Sequence, residues 1–243
     1  MATTAVQLDK TIETGPGEFR GWCRLGGIAA FILIVYSLAT IVQMAVLGGQ
    51  PATAVEAFRL LQRNKMLGLL RLDLPTVAMM PLYYLLSLGL FAALRRIDRA
   101  QAMLATVLAF VGVTLLLATP TALSMLALSD KFEAATSDVL KQQFLAAGEA
   151  VMATDIWHAT GAIMGGVLVQ CGAILICVVM LRGGVFSKGT AWLGIVMHGL
   201  DLGHILSGLF LPTAGVVLMA IAGPLYPVWF FLVGHRLLRI AAR

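Results

Sequence analysis

Apolar residues run along this chain in long blocks with few polar interruptions. A helix needs about 20 mostly apolar residues to cross a bilayer. Six blocks meet that length: Leu25–Gly48, Leu72–Leu94, Ala102–Leu128, Ile156–Leu181, Thr190–Leu211 and Ala214–His235. No charge separates the last two. Pro212-Thr213 divides them, with proline ending one helix and threonine capping the next. Residues 1–23 form a polar tail, expected on the cytoplasmic side. The tail has no apolar stretch of the kind a cleavable signal carries, so the first span is expected to stay as an anchor. Residues 24–243 then form a six-helix transmembrane domain.

The two longer connections carry helical patterns of their own. Thr53-Ala54-Val55-Glu56 matches a capping box. Beyond it, Ala54, Phe58 and Leu61 fall opposite Glu56, Arg59 and Arg63 at about 100° per residue. In the second connection Leu140, Phe144, Ala147 and Val151 make an apolar stripe that leaves Lys141 and Glu149 to one side. Helices of this type lie flat at the headgroup boundary. They either cover the top of the bundle or form a lid over a lateral opening. The predicted fold is therefore all-α: a polytopic membrane bundle of six transmembrane helices plus two interfacial amphipathic helices.

Composition sharpens the class. The chain is 60% hydrophobic and 12% charged over 243 residues, against roughly 25% charged in soluble domains. Cys23, Cys171 and Cys177 show neither zinc spacing nor a CxxC pair and read as buried thiols. HExxH, GxSxG and P-loop patterns are missing, and no spanning block contains a lysine for a retinal Schiff base. Basic residues sit at block edges, which gives nucleic-acid binding no support. No cofactor and no metal are expected, and enzymatic activity is not favoured. With both termini inside, the short loops holding Arg95, Arg96, Arg99, Arg182 and Lys188 face the cytoplasm, as the positive-inside rule asks. The basic stretch Arg59–Arg71 is the counter-argument.

One acid stands in the wrong solvent. Between Lys188 and Arg236 the only formally charged residue is Asp201, with His198 and His204 three residues to either side. Insertion scales put Asp at a helix centre at about +2.5 to +3.5 kcal/mol. The three side chains share about 120° of the helix, edged by Gly194 and Gly208, so the stripe faces other helices. Asp73 and His158 begin the second and fourth spans. At about 1.5 Å per residue, they lie about 13 Å shallower than Asp201. The expected site is a polar cavity open to the outer side, running from Asp73 and His158 down to His204, His198 and Asp201. A purely structural role for Asp201, satisfied by a neighbouring hydroxyl or histidine, is the alternative. Pro75, Pro81, Pro120, Pro224 and Pro227 fall within or at the ends of spans, where they kink helices or free carbonyls. Gly161-xxx-Gly165 and Gly199-xxx-Gly203 allow close helix contacts.

Several segments carry a resemblance. Asn64-Lys65-Met66-Leu67-Gly68-Leu69-Leu70-Arg71-Leu72-Asp73 resembles the segment entering the second span of a group of uncharacterised bacterial six-helix integral membrane proteins, a family of unknown function. Ala146-Ala147-Gly148-Glu149-Ala150, Val179-Met180-Leu181-Arg182 and Gly223-Pro224-Leu225-Tyr226-Pro227-Val228-Trp229 are similar to that group too. The resemblance implies a bacterial cytoplasmic (inner) membrane location and brings no activity. It adds interest to Asp73 and Glu149.

The expected function is non-enzymatic binding or passage of a small apolar or cationic ligand through the outer-facing cavity. Two alternatives stand beside it: a structural subunit of a larger membrane complex, and a metal-assisted intramembrane hydrolase using Asp73, His158, His204 and Asp201. The expected partners are membrane lipids, the small ligand, and other membrane subunits or further copies of the chain.

Overall fold

The protein was analysed as a computed structural model that describes residues 16–243, with side chains from Phe19 onward. Most of the expected tail, including Lys10, lies outside the described residues. The described residues form twelve α-helices joined by short turns and contain no strand.

Six helices build the body: α1 (Pro16–Leu47), α5 (Pro81–Leu94), α6 (Arg99–Leu117), α9 (Thr160–Arg182), α10 (Lys188–Gly208) and α12 (Leu225–Ala241). They form a closed ring. α12 packs on α1, α1 on α5, α5 on α6, α6 on α9, α9 on α10, and α10 on α12. Neighbours run antiparallel. Ala105 meets Gly172 while Gly112 meets Gly165, and Gly27 meets Leu238 while Phe31 meets Phe231. The N-terminal end of α1 and the C-terminal end of α12 therefore lie at the same end of the ring. The ring encloses one core, built around Leu33, Leu90, Met180, Met197, Trp229 and Phe230.

Glycines set the tightest crossings. A Cβ on Gly26 would lie 2.8 Å from the Cα of Gly89, and one on Gly89 would lie 2.9 Å from the Cα of Gly26. Between α6 and α9, a Cβ on Gly112 would lie 2.5 Å from the Gly165 carbonyl oxygen, and the reciprocal distance is 2.7 Å. Lipid gives apolar surfaces no hydrophobic reason to associate, so backbone proximity and dense packing must hold such helices together. Of the glycine pairs predicted from sequence, Gly165 makes a closest approach, whereas a Cβ on Gly199 would meet nothing within 4 Å.

Five stretches are long and apolar enough to cross a membrane: Phe19–Leu47, Leu74–Leu94, Arg99–Ala134, Thr160–Arg182 and Pro212–Ala241. The ring helix outside that set is α10, where His198, Asp201 and His204 interrupt the apolar run. Three of the expected spans are broken rather than continuous. The second begins as α4 (Leu74–Met79) and restarts at Pro81. The third ends at Leu117, turns through Thr119-Pro120-Thr121, and resumes as α7 (Ala122–Ala134). The last comprises α11 (Pro212–Ala222) and α12, parted at Gly223-Pro224. Prolines thus sit at helix starts, where a missing N–H costs nothing. Pro212 is itself the first residue of α11, so it opens that helix rather than closing α10, and Thr213 lies inside the helix.

At the end of the ring opposite the Gly27–Leu238 contact, α2 (Ala54–Arg63), α3 (Lys65–Arg71), α7 and α8 (Asp138–Met152) pack into a second cluster. Its centre holds Ala54, Ala57, Phe58, Leu61, Ala122 and Met125. The Thr53 side chain caps α2 through the Glu56 N–H, while Glu56 reaches back to the Ala52 N–H. On α8 the buried residues are Gly148 and Met152, one register away from the predicted stripe, and Leu140 stays 41% exposed. A Cβ on Gly148 would lie 2.8 Å from that of Ala54, and the Glu149 carboxylate accepts the Ala54 N–H at 2.8 Å. Both contacts seat α8 against the start of α2.

Replacing Gly165 with leucine is expected to lower stability by about 1–3 kcal/mol or more through overpacking. The same change at Gly199 should be nearly silent. Thermal unfolding of the two purified variants in one detergent checks the difference.

Candidate functional site

Asp201 lies partway along α10, and its carboxylate is satisfied by neutral groups on two other helices. Oδ2 accepts from Gln170 Nε2 of α9 at 2.6 Å and from the Tyr226 hydroxyl of α12 at 2.5 Å. Gln170 Nε2 also lies 3.3 Å from the Tyr226 hydroxyl. On its other side, Gln170 Oε1 is 2.6 Å from His198 Nδ1. Since the Gln170 amide nitrogen donates to Asp201, its oxygen is the acceptor, and His198 carries its proton on Nδ1. The His198 ring stands edge-on to Tyr226 and Trp229, with centroids 5.6 and 5.1 Å away.

Local sequence explains the meeting. Gly194 lies one turn before His198. A Cβ there would lie 2.5 Å from Trp229 Nε1 and would also clash with Cys177 Sγ, so only glycine lets α9, α10 and α12 converge. The helix break at Gly223-Pro224 restarts α12 so that Tyr226 falls in its first turn, opposite Asp201.

Among the described residues Asp201 forms no ion pair. Its Oδ1 takes no hydrogen bond, yet it is not among the sealed polar atoms that lack a partner. One carboxylate oxygen is therefore locked by protein, and the other has no protein partner and is not fully sealed. The Gln170 amide separates His198 from Asp201. An amide has no titratable proton to pass on, so the pair is joined by orientation rather than by direct proton exchange.

The other expected residues go elsewhere. His204 Nδ1 is 3.0 Å from the Gly215 carbonyl oxygen, tying α10 to α11. Asp73 is 2% exposed and caps α7 from outside that helix. Its Oδ2 accepts from the Thr121 N–H at 2.5 Å and the Thr121 hydroxyl at 2.8 Å, and Oδ1 accepts from the Ala122 N–H at 2.9 Å. His158 is exposed, and its Nδ1 is 2.8 Å from Asp155 Oδ1. Asp155 also accepts the Trp157 and His158 N–H groups at 2.9 Å each and the Gln50 amide at 3.1 Å. Neither Asp73 nor His158 bonds to the Asp201 cluster. Among the described residues no three His, Cys, Asp or Glu side chains come together as a metal-ligand set.

Sequence reasoning passed over Gln170 and Tyr226. Gln170 is one position beyond the face that carries His158, Ala162, Gly165 and Val169, and an uncharged amide raises no alarm in a hydropathy scan. Its signal was available: it is the one amide between Thr160 and Arg182. Tyr226 lay in the Gly223-to-Trp229 run, read for its prolines and for the resemblance, and its hydroxyl was not singled out.

The fold defines a class, a helical protein with several helices apolar enough to cross a membrane. Comparison with protein-family models, with curated proteins and with solved structures finds no match to this chain.

Removing the Tyr226 hydroxyl with Tyr226→Phe deletes one bond to Asp201, an effect of about 0.6–2 kcal/mol by the measured range for interhelical bonds in membranes. Gln170→Leu is expected to cost more, about 2–3 kcal/mol, because it strands the His198 Nδ1–H as well as thinning the Asp201 shell. Equal losses in thermal unfolding would show that Gln170 does not bridge the two.

Proposed function

We propose that the chain is an integral membrane protein of six spans, with α10 as the sixth, that binds and passes a small cation at Asp201. The observation that carries this reading is the half-satisfied carboxylate. Neutral donors hold Oδ2, no lysine or arginine among the described residues forms an ion pair with Asp201, and Oδ1 has no protein partner. A carboxylate at such a depth needs a positive partner. Among the described residues no lysine or arginine pairs with it, and on this reading the partner is a ligand. The position of α10 within a closed ring supports its spanning with the others. The bound cation and the three-helix cluster around Oδ2 together offset the insertion cost of the charge.

Both termini are proposed to face the cytoplasm, with the α2–α3–α7–α8 cluster outside and flat against the headgroups. The short basic loops between α5 and α6 and between α9 and α10 support that orientation. The resemblance to bacterial six-helix proteins supports the cytoplasmic membrane as the compartment. An accessory-subunit role would leave the open Oδ1 without a use. The hydrolase reading lacks a converged ligand set among the described residues.

The test is binding by the full chain in detergent, probed with sodium, ammonium and methylammonium chlorides at constant ionic strength. The wild type is expected to gain thermal stability with at least one cation in a saturable way, with a midpoint in the millimolar range. Asp201→Asn, which keeps the shape and a hydrogen-bond acceptor, should lose at least tenfold in affinity. A flat wild-type response, or identical midpoints in wild type and variant, sinks the reading.

A further inference from the structure

The basic stretch from Arg59 to Arg71 divides by what its side chains do. Lys65 pairs with Asp130 of α7 at 2.8 Å. Arg71 holds the Gly49 carbonyl oxygen through Nε at 3.0 Å and Nη2 at 2.8 Å, and lies 3.7 Å from Glu56. Both cations therefore tie the second cluster together. Arg59 and Arg63 form no ion pair among the described residues. Of these two, Arg59 lines a pocket and Arg63 does not.

The pocket has a volume of about 160 Å3 and lies where α2, α7 and α8 meet. Val55, Phe58, Arg59 and Gln62 of α2 form one side, and Phe132 of α7 with Leu145 of α8 form the other. The four α2 residues share about 100° of that helix, so one face presents them together. Phe58 is 1% exposed and its ring stands against Phe132 with centroids 5.5 Å apart, so the apolar side is anchored in the cluster core. Arg59 and Gln62 are exposed and form the polar rim. No aspartate or glutamate lines the pocket. The nearby acids are engaged elsewhere: Glu56 with the Ala52 N–H and Arg71, and Glu149 with the Ala54 N–H. Lys141 precedes Leu145 by one turn of α8 and adds a second positive charge on that side.

Each part of the wall selects a chemistry. A guanidinium repels cations and grips a carboxylate through two parallel N–H···O bonds. The aromatic and aliphatic side rewards a ligand that brings apolar surface of its own, which a bare inorganic anion does not. A cavity of about 150 Å3 admits one benzene ring, so the space suits a single ring or a hydrocarbon body of that size. We propose that this pocket binds a small organic carboxylate with an apolar body about the size of a benzene ring. Its carboxylate sits on Arg59 with the Gln62 amide donating beside it, and its body lies against Phe58, Phe132 and Leu145. The site shares no residue with the Asp201 cluster and takes the opposite charge. It needs neither the cation reading nor a particular orientation in the membrane.

Benzoate, benzyl alcohol and acetate serve as probes for the full chain in a nonionic detergent at pH 7, with binding read by equilibrium dialysis of the labelled compounds. Benzyl alcohol keeps the ring without the charge, and acetate keeps the charge without the ring. Benzoate is expected to bind saturably, with both of the others weaker by about tenfold or more. Arg59→Gln should weaken benzoate by about tenfold or more, because it removes the bidentate partner. Arg63→Gln, next along the same basic stretch but outside the pocket, should leave benzoate binding unchanged. Val55→Phe, at an exposed position on the pocket wall, should fill the space and abolish it. None of the three substitutions should alter the sodium and ammonium responses assigned to Asp201. Equal binding of benzoate and benzyl alcohol to the wild type overturns the proposal in favour of an apolar cleft, and that comparison needs no variant to fold. Equal losses in Arg59→Gln and Arg63→Gln overturn it in favour of a diffuse basic surface. Benzoate binding that does not saturate, or that survives Val55→Phe, overturns it outright.

Discussion

A carboxylate inside an apolar bundle must find its hydrogen bonds on neighbouring helices, because no bulk water competes to supply them. That requirement governs how α9, α10 and α12 face one another. Gln170 and Tyr226 both converge on Oδ2 of Asp201, and Gln170 also binds His198 one turn away. Rotating any one of the three helices by a single residue position would break at least one of these bonds. The cluster therefore acts as a register pin. Dispersion forces alone would let such smooth, glycine-rich surfaces slide. The other crossings, at Gly26–Gly89 and Gly112–Gly165, bring backbones close but carry no comparable polar key.

Three other acids follow the same rule with different donors. Asp73 meets the first N–H groups of α7, where unpaired backbone donors and the helix dipole favour a negative group. Asp155 closes a turn onto the N–H groups of Trp157 and His158. Glu149 caps α2 from α8. All three lie in or beside the second cluster, and each uses backbone donors that the end of an element leaves over. Asp201 differs because it sits inside a helix whose own N–H groups are already committed. It depends on side chains, and the side chains present satisfy only one of its oxygens. This contrast in the source of hydrogen bonds separates Asp201 from Asp73 and Asp155 more sharply than charge or depth does.

Much of the architecture was legible in the sequence. Block length alone indicated the ring helices, and Thr53 with Glu56 marked the start of α2. The breaks were harder to read. Thr119-Pro120-Thr121 sits in an unbroken apolar run, so hydropathy carries straight through it, yet the Asp73 carboxylate stabilises a fresh helix start there from 48 positions earlier in the chain. A capping acceptor so far away in sequence leaves no local mark. The same holds for the site. Asp201 and His198 announced themselves by charge and spacing, whereas Gln170 became visible only once α9 was packed. Asp73 and His158 looked like company for Asp201 because acids and histidines are rare in such a chain. Rarity gave no indication that nearby N–H groups had already claimed Asp73.

Packing and polarity conflict where α9, α10 and α12 converge. Gly194 lets the Trp229 indole slide against α10 beneath His198. That packing gives α9, α10 and α12 their close convergence, but it carries an indole N–H and an imidazole nitrogen away from any protein partner. A larger residue at 194 would push Trp229 out and pull the Asp201 cluster apart with it.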